Sequence, residues 1–174
     1  MNTVRPFFFA LCVLLGFACS TPRYSEKAGI SSGENKPHAQ SISNPFRQKV
    51  VDYGKKFVGV NYLYAGQSPK TGFDCSGFTS YVLKEYGVVA SPASAIQAKE
   101  GRYVELDQVL PGDLIFFGDS KKKIQHVALV VSRGLDGITC VHSTSSRGVI
   151  VENISQSTYW KPKILFARDL ITDN

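Results

Sequence analysis

The sequence is poor in the residues that build metal centres. Its four cysteines, Cys12, Cys19, Cys75 and Cys140, form no Cys-x-x-Cys pair, and its three histidines are scattered. That argues against a zinc site, and neither a metal nor a cofactor is expected. The chain also lacks a long Arg/Lys run, any nucleic-acid-binding module and any internal repeat. The net charge of +6 and the pI of about 9.2 are therefore read as a solvated basic surface, not as nucleic-acid binding. Attraction to anionic polymers or lipid headgroups is the other consequence of that charge. What is present suits one ordinary domain, expected to be a monomer. The chain has 174 residues, 43% of them hydrophobic and 11% aromatic, enough for a core.

Residues 1–18 read as a secretory leader. Arg5 supplies the positive start, Phe7 to Leu15 the apolar run, and Gly16-Phe17-Ala18 precedes Cys19. The run is too short for a membrane span, which needs ~20 residues. Residues 19–43 are polar, rich in Ser, Gly, Lys and Asn, with Pro22 and Pro37. They cannot bury enough surface to offset chain entropy and read as a flexible tether, which leaves His38 inert. The folded domain is expected over residues 44–174.

Asn44-Pro45 opens a first helix as cap and first-turn proline, with Phe46, Val50, Tyr53, Phe57 and Val58 on its buried side. Val60 to Gly72 reads as a loop. Ser91-Pro92-Ala93-Ser94 starts a short helix through Gln97 and Lys99. Strands follow at Asp113–Phe117, His126–Ser132, Ile138–Ser143, Gly148–Ile154 and Phe166–Leu170, with Lys121 to Lys123 in a solvated loop. Helices first and strands after imply an α+β fold with a mostly antiparallel sheet.

The chain is organised around Gly72-Phe73-Asp74-Cys75-Ser76-Gly77-Phe78. Asp74 is a good N-cap, and Phe78, Tyr81, Val82, Glu85 and Tyr86 recur at helical steps until Gly87 can close the helix. Cys75 thus falls at the first position of a helix. Free backbone N–H groups and the positive dipole end there favour a thiolate, so a lowered pKa is expected. Ser76 and Gly77 leave room for a substrate. A lone cysteine can equally be a small core residue, and Cys140, inside Ile138-Thr139-Cys140-Val141, is read that way.

Asp74-Cys75-Ser76-Gly77-Phe78 resembles the signature of the NlpC/p60 family of cell-wall peptidases. Four further stretches resemble that family in the same order: Tyr62 to Gly66, Pro111 to Phe117, His126 to Val130, and Val141-His142-Ser143. The resemblance runs from about Asn44 to Leu170 and implies a papain-like α+β fold, with N-terminal helices packed on the sheet. It implies hydrolysis of peptidoglycan stem peptides, after γ-D-glutamate and before a diamino acid. A small residue before Cys19 is similar to a bacterial lipoprotein processing site. That implies a lipid on Cys19 and an envelope protein held at a membrane. Gly16-Phe17 departs from the usual pattern, and cleavage by an ordinary signal peptidase is the competing expectation.

A thiol attacking an amide needs a base that can later protonate the leaving amine, and histidine suits both steps. His126, read as the start of its strand, is the first choice. An antiparallel pair could bring His142 beside it, and the resemblance implies that His142 orients the base. The backbone N–H of Cys75 is a candidate oxyanion donor. The resemblance adds the hydroxyl of Tyr62, for which a packed aromatic is the alternative. It also implies that Asp74 and Ser76 hold the polar end of the peptide, although Asp74 is a helix cap as well. Tyr64 stands where the family has tryptophan, altering the pocket wall. Ser94-x-x-Gln97 is similar to a further family element but lacks its arginine. Two rival functions remain from the sequence: an acyltransferase or amidase using the same thiol, and a non-catalytic wall-binding protein.

Overall fold

The computed structural model describes residues 44–171. The leader, the tether, Cys19 and His38 lie outside them.

Helix α1 (Pro45–Lys55) starts as the sequence predicts, with the Asn44 side chain accepting from the Phe46 N–H at 3.0 Å. Val50 is buried and Tyr53 and Phe57 pack half-buried against the core, as predicted, but the face is wider than the prediction and excludes two of its residues. Arg47, Val50, Val51 and Gly54 are buried, whereas Phe46 and Val58 are exposed. Val58 lies beyond the last helical residue, so it no longer follows helical spacing. The expected loop contains a two-strand hairpin, β1 (Gln67–Ser68) and β2 (Gly72–Phe73). Helix α2 (Cys75–Lys84) follows at once. It closes with the Val88 N–H on the Leu83 carbonyl, and Gly87 takes φ +77°, the left-handed residue such an ending needs. Helix α3 (Ser94–Gln97) is one turn.

The rest is strand: β3 (Arg102–Val104), β4 (Leu114–Ser120), β5 (Lys123–Gly134), β6 (Gly137–Thr144), β7 (Gly148–Asn153) and β8 (Ile164–Asp169). They form one antiparallel sheet in the order β3-β8-β4-β5-β6-β7. The architecture is α+β, as expected. Strand β5 begins three residues before His126, so His126 is inside the strand and not at its start. Lys123 likewise belongs to β5 and pairs with Asp119 at 2.6 Å, leaving a two-residue turn.

Strands β4 and β5 are apolar without alternation because both faces of the sheet are covered. Leu114, Phe116, Val127 and Leu129 pack with Val50, Phe78, Val82 and Leu83 on the helical side. Ile115, Phe117, Ala128 and Val130 pack with Cys140, Ile154 and Trp160 on the other. Cys140 is fully buried, the core role expected of it.

Arg47 ties α1 to the sheet. Its guanidinium meets Asp113 at 2.7 Å and Asp169 at 2.6 Å, and Arg102 also reaches Asp169 at 3.0 Å. The second oxygen of each carboxylate accepts a backbone N–H, from Leu110 and from Ile171. A buried ion set is tolerated when its remaining lone pairs are filled in this way.

Candidate active site

Asp74 caps α2 by accepting the Gly77 N–H at 2.6 Å, which fixes Cys75 at the first helical position. Gly77 does not open space for a substrate, contrary to the expectation. A Cβ there would lie 2.0 Å from the Gly66 carbonyl oxygen, so the glycine lets the preceding loop press onto the helix. Ser76 is buried, and its hydroxyl donates to the Pro92 carbonyl at 2.9 Å and to Asp74 at 3.2 Å. Gln97 reinforces the same corner, donating to the Ser76 and Ser91 carbonyls.

Across from α2, β5 carries a bulge. Phe117 pairs with His126 and Gly118 with Ile124, so Gln125 has no partner of its own. Bulges re-aim side chains beside sites. Here His126 and Gln125 both reach one cavity, while the next residue, Val127, turns into the helical core. The backbone N–H of Val127 reaches the Cys75 sulfur.

That cavity, of about 590 Å³, joins Cys75, His126 and Tyr62. Ser143, Arg147 and Trp160 also line it. Tyr64 and Ser94 are not among its lining residues, and Tyr64 is 85% exposed. His142 lies behind His126, with His126 Nε2 2.8 Å from His142 Nδ1. The antiparallel pairing of β5 and β6 thus brings the two rings together.

Glu152, Arg147 and Trp160 are not among the residues the sequence points to. Glu152 Oε1 sits 2.9 Å from His142 Nε2 and accepts from Arg147 Nη2 and Trp160 Nε1, both at 2.8 Å. Trp160 also stacks on the His126 ring, with centroids 4.3 Å apart. The only tryptophan of the chain, beside an aromatic and ahead of a Lys-Pro pair, was the one available hint.

Burial sets the electrostatics. It pushes the Cys75 thiol above its ordinary value, and the Asp74 carboxylate pushes it further. The N–H groups of Cys75, Ser76 and Val127 pull the other way and lose. The expected thiolate is therefore not the resting state. Burial, then His142, holds His126 well below its ordinary pKa. Burial also brings His142 down to about 4, against the upward pull of Glu152. Burial alone would raise Glu152, but Arg147, His142 and Trp160 outweigh it and keep the carboxylate ionised. Burial, then the charge Cys75 would carry once ionised and that of Asp74, raises Tyr62, so its hydroxyl stays a donor. The resting pair is a neutral thiol and a neutral imidazole, and such a pair can pass a proton as the sulfur attacks.

The family model described as NlpC/P60 matches residues 59–169. The chain belongs to this family. It is 35% identical over 127 residues to a gamma-DL-glutamyl hydrolase of Bacillus subtilis, covering 71% of this chain and 30% of the relative. It is 37% identical over 95 residues to a gamma-D-glutamyl-L-lysine dipeptidyl-peptidase of Bacillus cereus, covering 53% of this chain and 28% of that one. The chain therefore spans less than a third of either relative. Among solved structures, an NlpC/P60 family protein of Bacillus cereus superposes with a TM-score of 0.66 at 30% identity, over 72% of this chain and 40% of that one. The NlpC/p60 domain of the peptidoglycan hydrolase SagA gives 0.60 at 29%, over 71% of this chain and 97% of that one. Membership alone does not decide activity. A Mycobacterium tuberculosis protein with this fold, 23% identical at a TM-score of 0.57, is described as non-catalytic and adapted to peptidoglycan binding.

Proposed function

We propose that the protein is a cysteine endopeptidase that hydrolyses peptidoglycan stem peptides at the γ-D-glutamyl–diamino acid bond. One observation carries the reading. Cys75, at a helix start, and His126, backed by His142, open into one cavity large enough for a short peptide. Relatives named for γ-glutamyl bonds and a structural neighbour named as a peptidoglycan hydrolase support that choice of substrate. The filled catalytic positions favour an enzyme over a wall-binding protein.

His126 takes the thiol proton as sulfur attacks the amide carbon. Tyr62 and the Cys75 N–H stabilise the oxyanion. The protonated imidazole then gives its proton to the leaving amine, and a thioester remains. Water, deprotonated by His126, hydrolyses it and frees the thiol. Ser76 Oγ and Asp74 Oδ1 build the helix start, committed to the Pro92 carbonyl and the Gly77 N–H. Tyr64 and Ser94 have at most an outer role in substrate contact.

The site would work at the cell envelope, with the protein carried across the inner membrane and a lipid on Cys19. Cys19→Ser should move the protein from the membrane fraction to the soluble one without changing its rate. Mass spectrometry of muropeptides digested by the purified protein tests the peptidase itself. A new α-amino end on the diamino acid supports it; uncut stems exclude it. Transfer to an added amine in place of water would identify an acyltransferase.

A further inference from the structure

Glu152 stands on β7 directly opposite Cys140 of β6, two residues from His142 along one face of the sheet. Diagonal neighbours in an antiparallel pair are within reach of long side chains, and Glu152 meets His142 Nε2 at 2.9 Å. We propose that Glu152 is a positioning residue that decides, through His142, which nitrogen of His126 is free to take the thiol proton. This rests on the peptidase reading and adds a residue to it.

The argument follows hydrogens. An ionised carboxylate can only accept, so the hydrogen between Glu152 and His142 sits on His142 Nε2. Neutral His142 then has a bare Nδ1, which can only accept. The 2.8 Å contact from His142 Nδ1 to His126 Nε2 needs one hydrogen, and only His126 can supply it. Neutral His126 thus carries its hydrogen on Nε2 and keeps Nδ1 bare. Without Glu152 the chain can run backwards. His142 can hold its hydrogen on Nδ1, His126 Nε2 must accept, and His126 Nδ1 is blocked.

Glu152 is itself pinned. Three donors converge on its Oε1, from His142, Arg147 and Trp160. Each favours the charged carboxylate, and only an acceptor satisfies all three. Trp160 covers His126 as well, so one side chain both steadies the carboxylate and shields the ring it controls. His142 has no exposed side-chain surface, so no solvent competes for its nitrogens.

Nitrogen-15 spectra of histidine-labelled full chain, with and without substitutions, test this directly. Wild type should show both His126 and His142 protonated on Nε2 and bare on Nδ1. Glu152→Ala should mix in the Nδ1–H form at both rings and lower kcat by about 100-fold, with KM within a few-fold. Glu152→Gln retains an acceptor oxygen, so it should keep the wild-type tautomers and lose less activity. Hydrogen on His126 Nδ1 in wild type would overturn the proposal, as would unchanged tautomers or unchanged kcat in folded Glu152→Ala. If that variant does not fold, the wild-type spectrum still decides, since hydrogen on His142 Nδ1 would overturn the proposal too. The spectra need no substrate. A wild type that cuts no stem peptide would sink the peptidase reading while the tautomers still decide the role of Glu152.

Discussion

The Arg47 cluster, which ties α1 to the sheet, and the Glu152 cluster, which links the neighbouring strands β5, β6 and β7, are both sets of charged and polar side chains. Arg47 meets two fully buried carboxylates, and backbone N–H groups fill what is left. That set is closed: every group holds another in place. The Glu152 set begins in the same way, with three donors on one oxygen, but ends at His126, on the wall of a cavity that also holds Cys75. Burial plus full satisfaction makes a strut. Burial with one end open to a ligand makes a place where a proton can move, because the last group has somewhere to send it. Substitutions in the two sets should therefore separate stability from rate.

The largest effect is expected at the open end. Cys75→Ala should reduce hydrolysis to background with an unchanged melting temperature, checked by product analysis and thermal melts. The closed set should answer the other way. Arg47→Ala takes the buried cation away from Asp113 and leaves Asp169 with Arg102 alone as its ion-pair partner among those described. It should cost about 3–5 kcal/mol in denaturant unfolding, while kcat per folded molecule stays within a few-fold. His142→Ala lies between, since water can replace part of an orienting ring. A loss of about 100-fold in kcat is expected, smaller than that of His126→Ala. A milder loss at His126 than at His142 would mean that the two rings exchange roles. Tyr62→Phe removes one of the two oxyanion donors and should lower kcat about 100-fold, with KM little changed.

The pH dependence sharpens the same contrast. His126 must be neutral to accept a proton, and burial holds its pKa well below 6.5. Activity should therefore persist as pH falls through 6.5 and disappear only at lower pH, where the imidazole becomes charged. The raised Cys75 thiol should react slowly with iodoacetamide at pH 6 and faster as pH rises through the alkaline range. Fast alkylation at pH 6 would show that the helix N-terminus wins over burial after all.

Local chemistry was legible in the sequence, and long-range pairing was not. The Asn44 and Asp74 caps, the Gly87 ending and the place of Cys75 at a helix start follow from short-range rules, and the structure has each of them. The order of helices and strands was legible for the same reason. Arg47 was missed because a helix pattern read alone favours Phe46, and nothing near Arg47 announces Asp113 and Asp169. Glu152 was missed because its role depends on the β6–β7 register, which no local signal fixes. The bulge at Gln125 depends on β4 in the same way. The Cys75 expectation failed on a magnitude: the helix end does act on the sulfur, but burial and Asp74 act more strongly.

The central claim is that Cys75 forms a thioester with a stem-peptide acyl group. Its most direct test is intact-protein mass spectrometry after brief mixing with a purified γ-D-glutamyl–diamino acid stem peptide and acid quench. The wild type should carry an adduct of the N-terminal stem fragment, mapped to Cys75 and released by hydroxylamine, while the diamino acid fragment appears free. Stem cleavage that persists in Cys75→Ala, with an adduct elsewhere or none in either protein, would contradict it.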